Sequence, residues 1–179
     1  MNGSEPSRLG GRCTCGSVAY ELLHAPLFVH CCHCTWCQRE SGTAFAINVL
    51  IESEKLKLAA GEVDWLKRPS NSGQGQDLAF CWKCGTILWS HYGAAKDRIA
   101  FVRAGTLLDP SKVTPDIHIY TCSKLPWIEL PNSVPSVAEY YRRSEHWPEQ
   151  SIERYRAATA GPSKNTRKTS GHRAGAETA

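Results

Sequence analysis

Residues 31–37 read CCHCTWC, four cysteines crowded around His33. If the approach VHCCHC (29–34) is extended, side chains alternate between two faces, so Cys32 and Cys34 share one side while Cys31 and His33 share the other. The chain then turns at Thr35 and Trp36 and brings Cys37 back. Three thiolates converge, and a set of three protein ligands with a vacant fourth position is the arrangement of a catalytic zinc. A site closed by Cys31, or by the distant His118 or Cys122, is the alternative. Cys31, by its opposite parity, is expected to stay outside the three-Cys set.

Two further cysteine pairs stand apart from this run. GRCTCGS (11–17) places Cys13 and Cys15 before Gly16, and AFCWKCGT (79–86) places Cys81 and Cys84 before Gly85. A glycine after the second ligand suits a zinc knuckle, where the chain turns sharply and glycine tolerates a positive φ. Two knuckles make one closed four-thiolate site, the composition of a structural zinc. The other reading of CWKC, a thioredoxin-like redox pair, calls for a βαβ context that the sequence does not offer.

The chain has 9 Cys in 179 residues. Its opening, MNGSEPSRLGG, has no apolar h-region, so no secretory leader is expected. The run AFAINVLI (44–51) is far too short for a membrane span, which takes about 20 residues. A cytoplasmic, soluble protein is expected, and in a reducing compartment closely spaced cysteines are metal ligands or redox groups more often than disulfides. The formal charge of +4 sits mostly at the end. From Ala157 onward no large apolar residue occurs, and Lys164, Arg167, Lys168 and Arg173 stand against Glu177 alone, which accounts for +3. The basic balance thus belongs to a segment with the composition of disorder, and neither nucleic acid nor a membrane is an expected partner of the body.

Short runs rich in β-branched and aromatic residues fill the body: SVAYEL (17–22), KLKLAAG (55–61), TILWSH (86–91), RIAFVRAG (98–105), DIHIYT (116–121) and WIEL (127–130). Ser136 and Glu139 have the S-x-x-E spacing of a capping box, which predicts a helix through YYRRSEHW (140–147), and a second short helix is expected over 151–156. The class is mainly β with short helices near the metal loop and the C-terminus. The domain plan is a flexible N-terminus (1–9), one zinc domain (10–145), a short helical segment (146–156) and a basic tail (157–179).

The order C-x-C-G, C-H-C-x-x-C, F-C-x-x-C-G, then HIYTCSKLPWIEL (118–130), resembles the glutathione-dependent formaldehyde-activating enzymes, a family that also includes centromere protein V. The likeness runs from about Gly11 to Tyr141. It implies a β-tent fold of small antiparallel sheets and two zinc ions, one structural on Cys13, Cys15, Cys81 and Cys84, the other on Cys32, Cys34 and Cys37. The activity it implies is carbon–sulfur lyase chemistry, the joining of glutathione and formaldehyde as S-hydroxymethylglutathione or the reverse. Cys31 and Cys122 lie outside the family's zinc pattern.

That chemistry suits the three-Cys set. Zinc carrying three thiolates has a net charge of −1 and is a weak Lewis acid, so ionising a bound thiol is its expected task, and a thiolate adds readily to an aldehyde carbon. Arg39 is a candidate for pairing with a substrate carboxylate, with a solvent-facing role as its other reading. His118 either orients a ligand or is a satisfied strand histidine; Trp36 walls a pocket or covers the metal loop; Trp127 is expected in the core. A zinc-stabilised, non-catalytic binding module is the competing function. The basic tail has nothing apolar to bury against the cost of ordering its backbone, so deleting the residues after Ala160 is expected to leave the melting temperature within about two degrees of the full chain in a thermal scan. A larger fall would mean that the tail packs on the body.

Overall fold

The computed structural model describes residues 8–70, 73–93 and 95–161; most of the basic tail falls outside that range. The chain forms two sheets. One has three strands in the order β1 (Leu9–Arg12), β2 (Ala19–Leu22), β5 (Leu56–Ala60). The other has seven, in the order β10 (Ile117–Ile119), β3 (Phe28–Cys32), β4 (Ala46–Glu52), β9 (Ile99–Arg103), β8 (Ile87–Tyr92), β7 (Gln76–Phe80), β6 (Asp64–Arg68). The protein is mainly β, with the helices α1 (Thr35–Ser41), α2 (Arg143–His146) and α3 (Glu149–Thr159). All neighbours are antiparallel except β10, which pairs parallel with β3 in the register His118 to Cys31.

The central strands are buried on both faces, and the two-residue period sorts their side chains. Val29 of β3, Val49 and Ile51 of β4 and Ala100 and Val102 of β9 join Leu9, Tyr20 and Leu22 in a core between the two sheets. Their sequence neighbours Phe28, Cys32, Leu50 and Ile99 face the other way, onto Trp147 and Ile152 from the C-terminal region. Burial on both faces also explains why β4 shows no alternation of apolar and polar residues, with Asn48 alone interrupting the run from Ala46 to Ile51.

Three expectations are corrected here. The capping box does not start a helix, and of the expected 140–147 only the four residues of α2 are helical: Ser136 bridges to His118, and residues 135–139 run beside β10, with His118 N donating to Pro135 O (2.8 Å), Val137 N to His118 O (2.9 Å) and Tyr120 N to Glu139 O (2.9 Å). β10 would otherwise leave a bare edge beside β3, and those backbone bonds outweigh a local helix start worth about 1 kcal/mol. WIEL is not a strand, and Trp127 is 70 % exposed, outside the core. The domain boundaries also move: Leu9, placed in the flexible N-terminus, is a buried residue of β1, and α3 runs to Thr159, three residues into the expected tail. Arg98 closes the end of α3 by donating to the carbonyls of Ala158 (2.7 Å) and Gly161, so a truncation after Gly161 spares both bonds.

The C-terminal region is held by a buried polar chain. Trp147 Nε1 donates to the Tyr141 hydroxyl at 2.6 Å, and that hydroxyl is hydrogen-bonded to His30 Nε2, also at 2.6 Å. Phe28 stacks on Trp147 with ring centroids 5.3 Å apart. Burial, and then the charge of Arg143, holds the His30 pKa down to about 3, from 6.5. The unfolded imidazole protonates near 6.5 while the folded one stays neutral to about 3, so the unfolded state binds more protons across that window and stability falls as pH drops through it. Between those limits the unfolding free energy of the wild type should fall more steeply with decreasing pH than that of His30→Gln, by up to about 1.4 kcal/mol per pH unit in denaturant titrations. Equal slopes would mean that His30 is not buried as a neutral ring.

Candidate metal centres

Three groups of metal-ligating side chains converge among the described residues, and in each the ligand atoms lie within 4.8 Å of one another: Cys13, Cys15, Cys81 and Cys84; Cys32, Cys34 and Cys37; and Cys31, His33 and His118.

The first group is built by two turns. Cys13 and Cys15 follow β1, and Cys81 and Cys84 follow β7. Gly16 donates to Cys13 O at 3.0 Å and Gly85 to Cys81 O at 2.8 Å, and both glycines adopt positive φ, 75° and 71°, which a side chain would oppose. Val18 N donates to Cys13 Sγ at 3.3 Å. The Cys13–Cys15 and Cys15–Cys81 sulfurs are 3.5 and 3.8 Å apart. Sulfurs on a tetrahedral zinc stand about 3.8 Å apart, so donor chemistry and spacing both fit a closed zinc-type site. Two of the four, Cys13 and Cys81, are buried, and Cys15 and Cys84 face solvent. The Cys84 thiol is held down to about 5, first by the Thr86 hydroxyl at 3.2 Å.

The second group lies at the end of β3 and the start of α1, with all three sulfurs buried. Cys34 is the N-cap of α1 in extended backbone, and its Sγ accepts from Cys37 N at 3.3 Å. The helix closes at Gly42, whose N–H returns to Gln38 O at 2.9 Å. Gln38 also fixes the loop, its Nε2 donating to His33 O (2.8 Å) and to Ser123 O (3.0 Å). The trio ionises one sulfur readily: hydrogen bonds from Cys32 and Cys37, aided by backbone N–H groups of Cys37 and Trp36, hold Cys34 down to about 2. Cys32 is pushed far up, first by its bonds with Cys34 and Cys37 and then by burial.

The surroundings hold residues that sequence reasoning missed. Arg103 of β9 pairs with Glu40 and donates to Asn48 Oδ1, while Gln76 Nε2 donates to Glu40 at 2.6 Å. A hydrogen bond from Cys32 and, more weakly, the Arg103 charge favour the Cys37 thiolate, but the Cys34 sulfur and burial outweigh them and push the Cys37 thiol up. Arg39, the arginine expected from its place in sequence, is exposed on the last turn of α1. Arg103 lies 66 residues from Cys37 and is brought near it by β4 and β9 pairing, Asn48 opposite Arg103. Tyr120, at φ 56° in the left-handed region, packs against the apolar cluster that contains the three cysteines, and its phenol is raised by burial and then by the charges of Cys32, Cys34, Glu139 and Cys37. A non-glycine residue in that conformation is the kind of backbone outlier that gathers at functional sites. Trp36, half-buried, packs against the same apolar cluster.

His118 does not reach the second group. It lies with Cys31 and His33 on the opposite face of β3, its Nδ1 3.0 Å from His33 Nε2. Cys122 is exposed and belongs to none of the three groups.

A family model for the glutathione-dependent formaldehyde-activating enzyme matches residues 8–123, a span that contains all three groups. The chain belongs to that family. No curated protein matches the chain. Among solved structures, a crystal structure of a Rhodobacter sphaeroides protein is similar at a TM-score of 0.42 and 19 % identity, over 72 % of this chain and 99 % of the other. No helix among the described residues is long and apolar enough to cross a membrane.

The fold holds the two cysteine-only groups differently. The four-Cys group ties the β1–β2 turn to the β7–β8 turn, whereas the three-Cys group is local to β3 and α1. Cys84→Ser is expected to unfold or aggregate the protein, and Cys34→Ser to leave a folded chain short of about one metal equivalent, read by circular dichroism and elemental analysis. Loss of the fold in Cys34→Ser would overturn that division.

Proposed function

We propose that this member of the family is a zinc-dependent carbon–sulfur lyase that forms or cleaves a thiol adduct of a small electrophile, with glutathione and formaldehyde as the substrates that family membership favours. The observation that carries this reading is the meeting of three buried sulfurs, Cys32, Cys34 and Cys37, with no fourth metal-ligating atom in the group among the described residues. Cys13, Cys15, Cys81 and Cys84 are assigned to a structural zinc, and the two sheets to the β-tent fold. We also assign one zinc domain from Leu9 through residue 145, the helical segment that follows it, and a cytoplasmic location.

The reaction conserves electrons. The thiol sulfur bonds to the aldehyde carbon, the carbonyl π bond breaks, and the proton lost by sulfur ends on the new hydroxyl; cleavage is the reverse. A zinc ion on the three cysteines would keep a bound thiol ionised at neutral pH. The chain's own groups prepare the place. Backbone N–H groups at the start of α1 hold Cys34 as an acceptor, Gln38 locks the loop to Ser123, and Arg103 offsets part of the sulfur charge. The Tyr120 hydroxyl, which senses all three sulfurs, is assigned to deliver or take the proton at the carbonyl oxygen.

NMR exchange between free and adducted formaldehyde, in buffer with glutathione, tests the activity. Spontaneous hemithioacetal formation sets the baseline. The wild type should exceed it, and the Cys32, Cys34 and Cys37 serine variants should fall back to it, because an interaction needed for the chemical step is gone. A folded, metal-loaded wild type that never exceeds the baseline would overturn the glutathione–formaldehyde reading and favour the non-catalytic module.

A further inference from the structure

Cys31, His33 and His118 have no part in the proposed reaction, yet they form a buried cluster of two imidazoles and a thiol. Cys31 and His33 leave β3 two residues apart and so share a face. His118 is the cross-strand neighbour of Cys31 on β10. Their exposures are 2, 0 and 8 %. The face is the one opposite Cys32, so this is a separate place in the molecule.

Hydrogen bonding accounts for only part of the arrangement. His33 Nε2 lies 3.0 Å from His118 Nδ1 and 3.6 Å from Cys31 Sγ. A ring nitrogen has either one N–H or one lone pair, so it serves one of those partners fully and the other only by sharing. A cation at the common point accepts all three lone pairs at once. With zinc–nitrogen and zinc–sulfur bonds of ordinary length, tetrahedral angles place nitrogen and sulfur about 3.6 Å apart and two nitrogens about 3.3 Å apart. The observed nitrogen–sulfur distance of 3.6 Å matches, and the nitrogen–nitrogen distance of 3.0 Å needs only a ring shift of about 0.3 Å. The donors come from two hydrogen-bonded strands, and His118 is fixed further by backbone bonds to Pro135 and Val137, so the geometry is preorganised.

We propose that Cys31, His33 and His118 form a third metal site, selective for zinc or a similar borderline-soft divalent ion. One thiolate and two neutral imidazoles leave bound zinc with a charge of +1, against −1 on the three-Cys set, so this site is the stronger Lewis acid of the two. No fourth ligand comes from the described residues, and water or a small anion completes the shell.

The two cysteine-only groups contain no histidine, so imidazole scattering in the zinc K-edge X-ray absorption spectrum reports this site alone. The untagged full chain, loaded with excess zinc and desalted, should show that scattering and bind about three zinc ions. Cys31→Ser and His118→Gln should each bind about one fewer and lose the imidazole signal, whereas Cys34→Ser should lose one zinc and keep the signal. Failure of the three-Cys reading is thus separable from failure of this one. An all-sulfur shell in the zinc-loaded wild type would overturn the proposal and leave a hydrogen-bonded trio. Zinc content unchanged in both folded variants would do the same, and the wild-type spectrum decides alone if neither variant folds.

Discussion

The two-sided burial of β3 is the constraint on which the rest of the molecule depends. Every residue from Phe28 to Cys32 is buried, and because the side-chain period of a strand is two, a slip of one residue would exchange the faces entirely. Val29 must reach the core between the sheets, and Phe28 must reach Trp147 on the other side. Once those are placed, Cys32 has no choice but to join Cys34 and Cys37 on the side of the C-terminal region, and Cys31 has none but to share the other face with His118 of β10. Two chemically different clusters therefore stand back to back across one strand, separated by its register.

The cysteine-only groups sit in contrasting surroundings. Two of the four sulfurs at the paired turns meet solvent, beside the Thr14 and Thr86 hydroxyls, 3.0 Å apart. The three sulfurs at α1 are buried among aromatic rings, with the Arg103, Glu40 and Gln76 network behind them. Burial makes a second and third thiolate costly there, which is the condition under which a bound cation or an incoming thiol changes the local charge balance most. The exposed cluster has no such leverage, and its position between distant turns suits a clip.

The cysteine spacings were readable because they are local. C-x-C-G and C-x-x-C-G dictate turns, and the glycines at 16 and 85 take the positive φ those turns need. The alternation in VHCCHC likewise survived folding, since an extended segment keeps its parity whatever it packs against. The Ser136 to Glu139 pattern is equally local but was overruled. The segment that carries it lies beside β10, where a strand edge needs partners, and six or so backbone and side-chain bonds there outweigh one cap. Trp127 failed for a related reason: aromatic character predicts burial only if some surface is available to receive the ring.

What the sequence determined by itself is the donor inventory and its grouping into knuckles and a three-Cys loop, because those depend on chain turns of a few residues. Only the tertiary structure decided which distant side chains stand beside them. Arg103 approaches Cys37, Glu40 and Gln76 through strand pairing, Tyr120 meets the sulfurs at the end of an edge strand, and His118 joins Cys31 through a parallel β10–β3 ladder that spans 87 residues of sequence. Such contacts follow from register and from which hydrophobic faces must be covered, a condition that the whole chain satisfies at once and that no short stretch of it encodes.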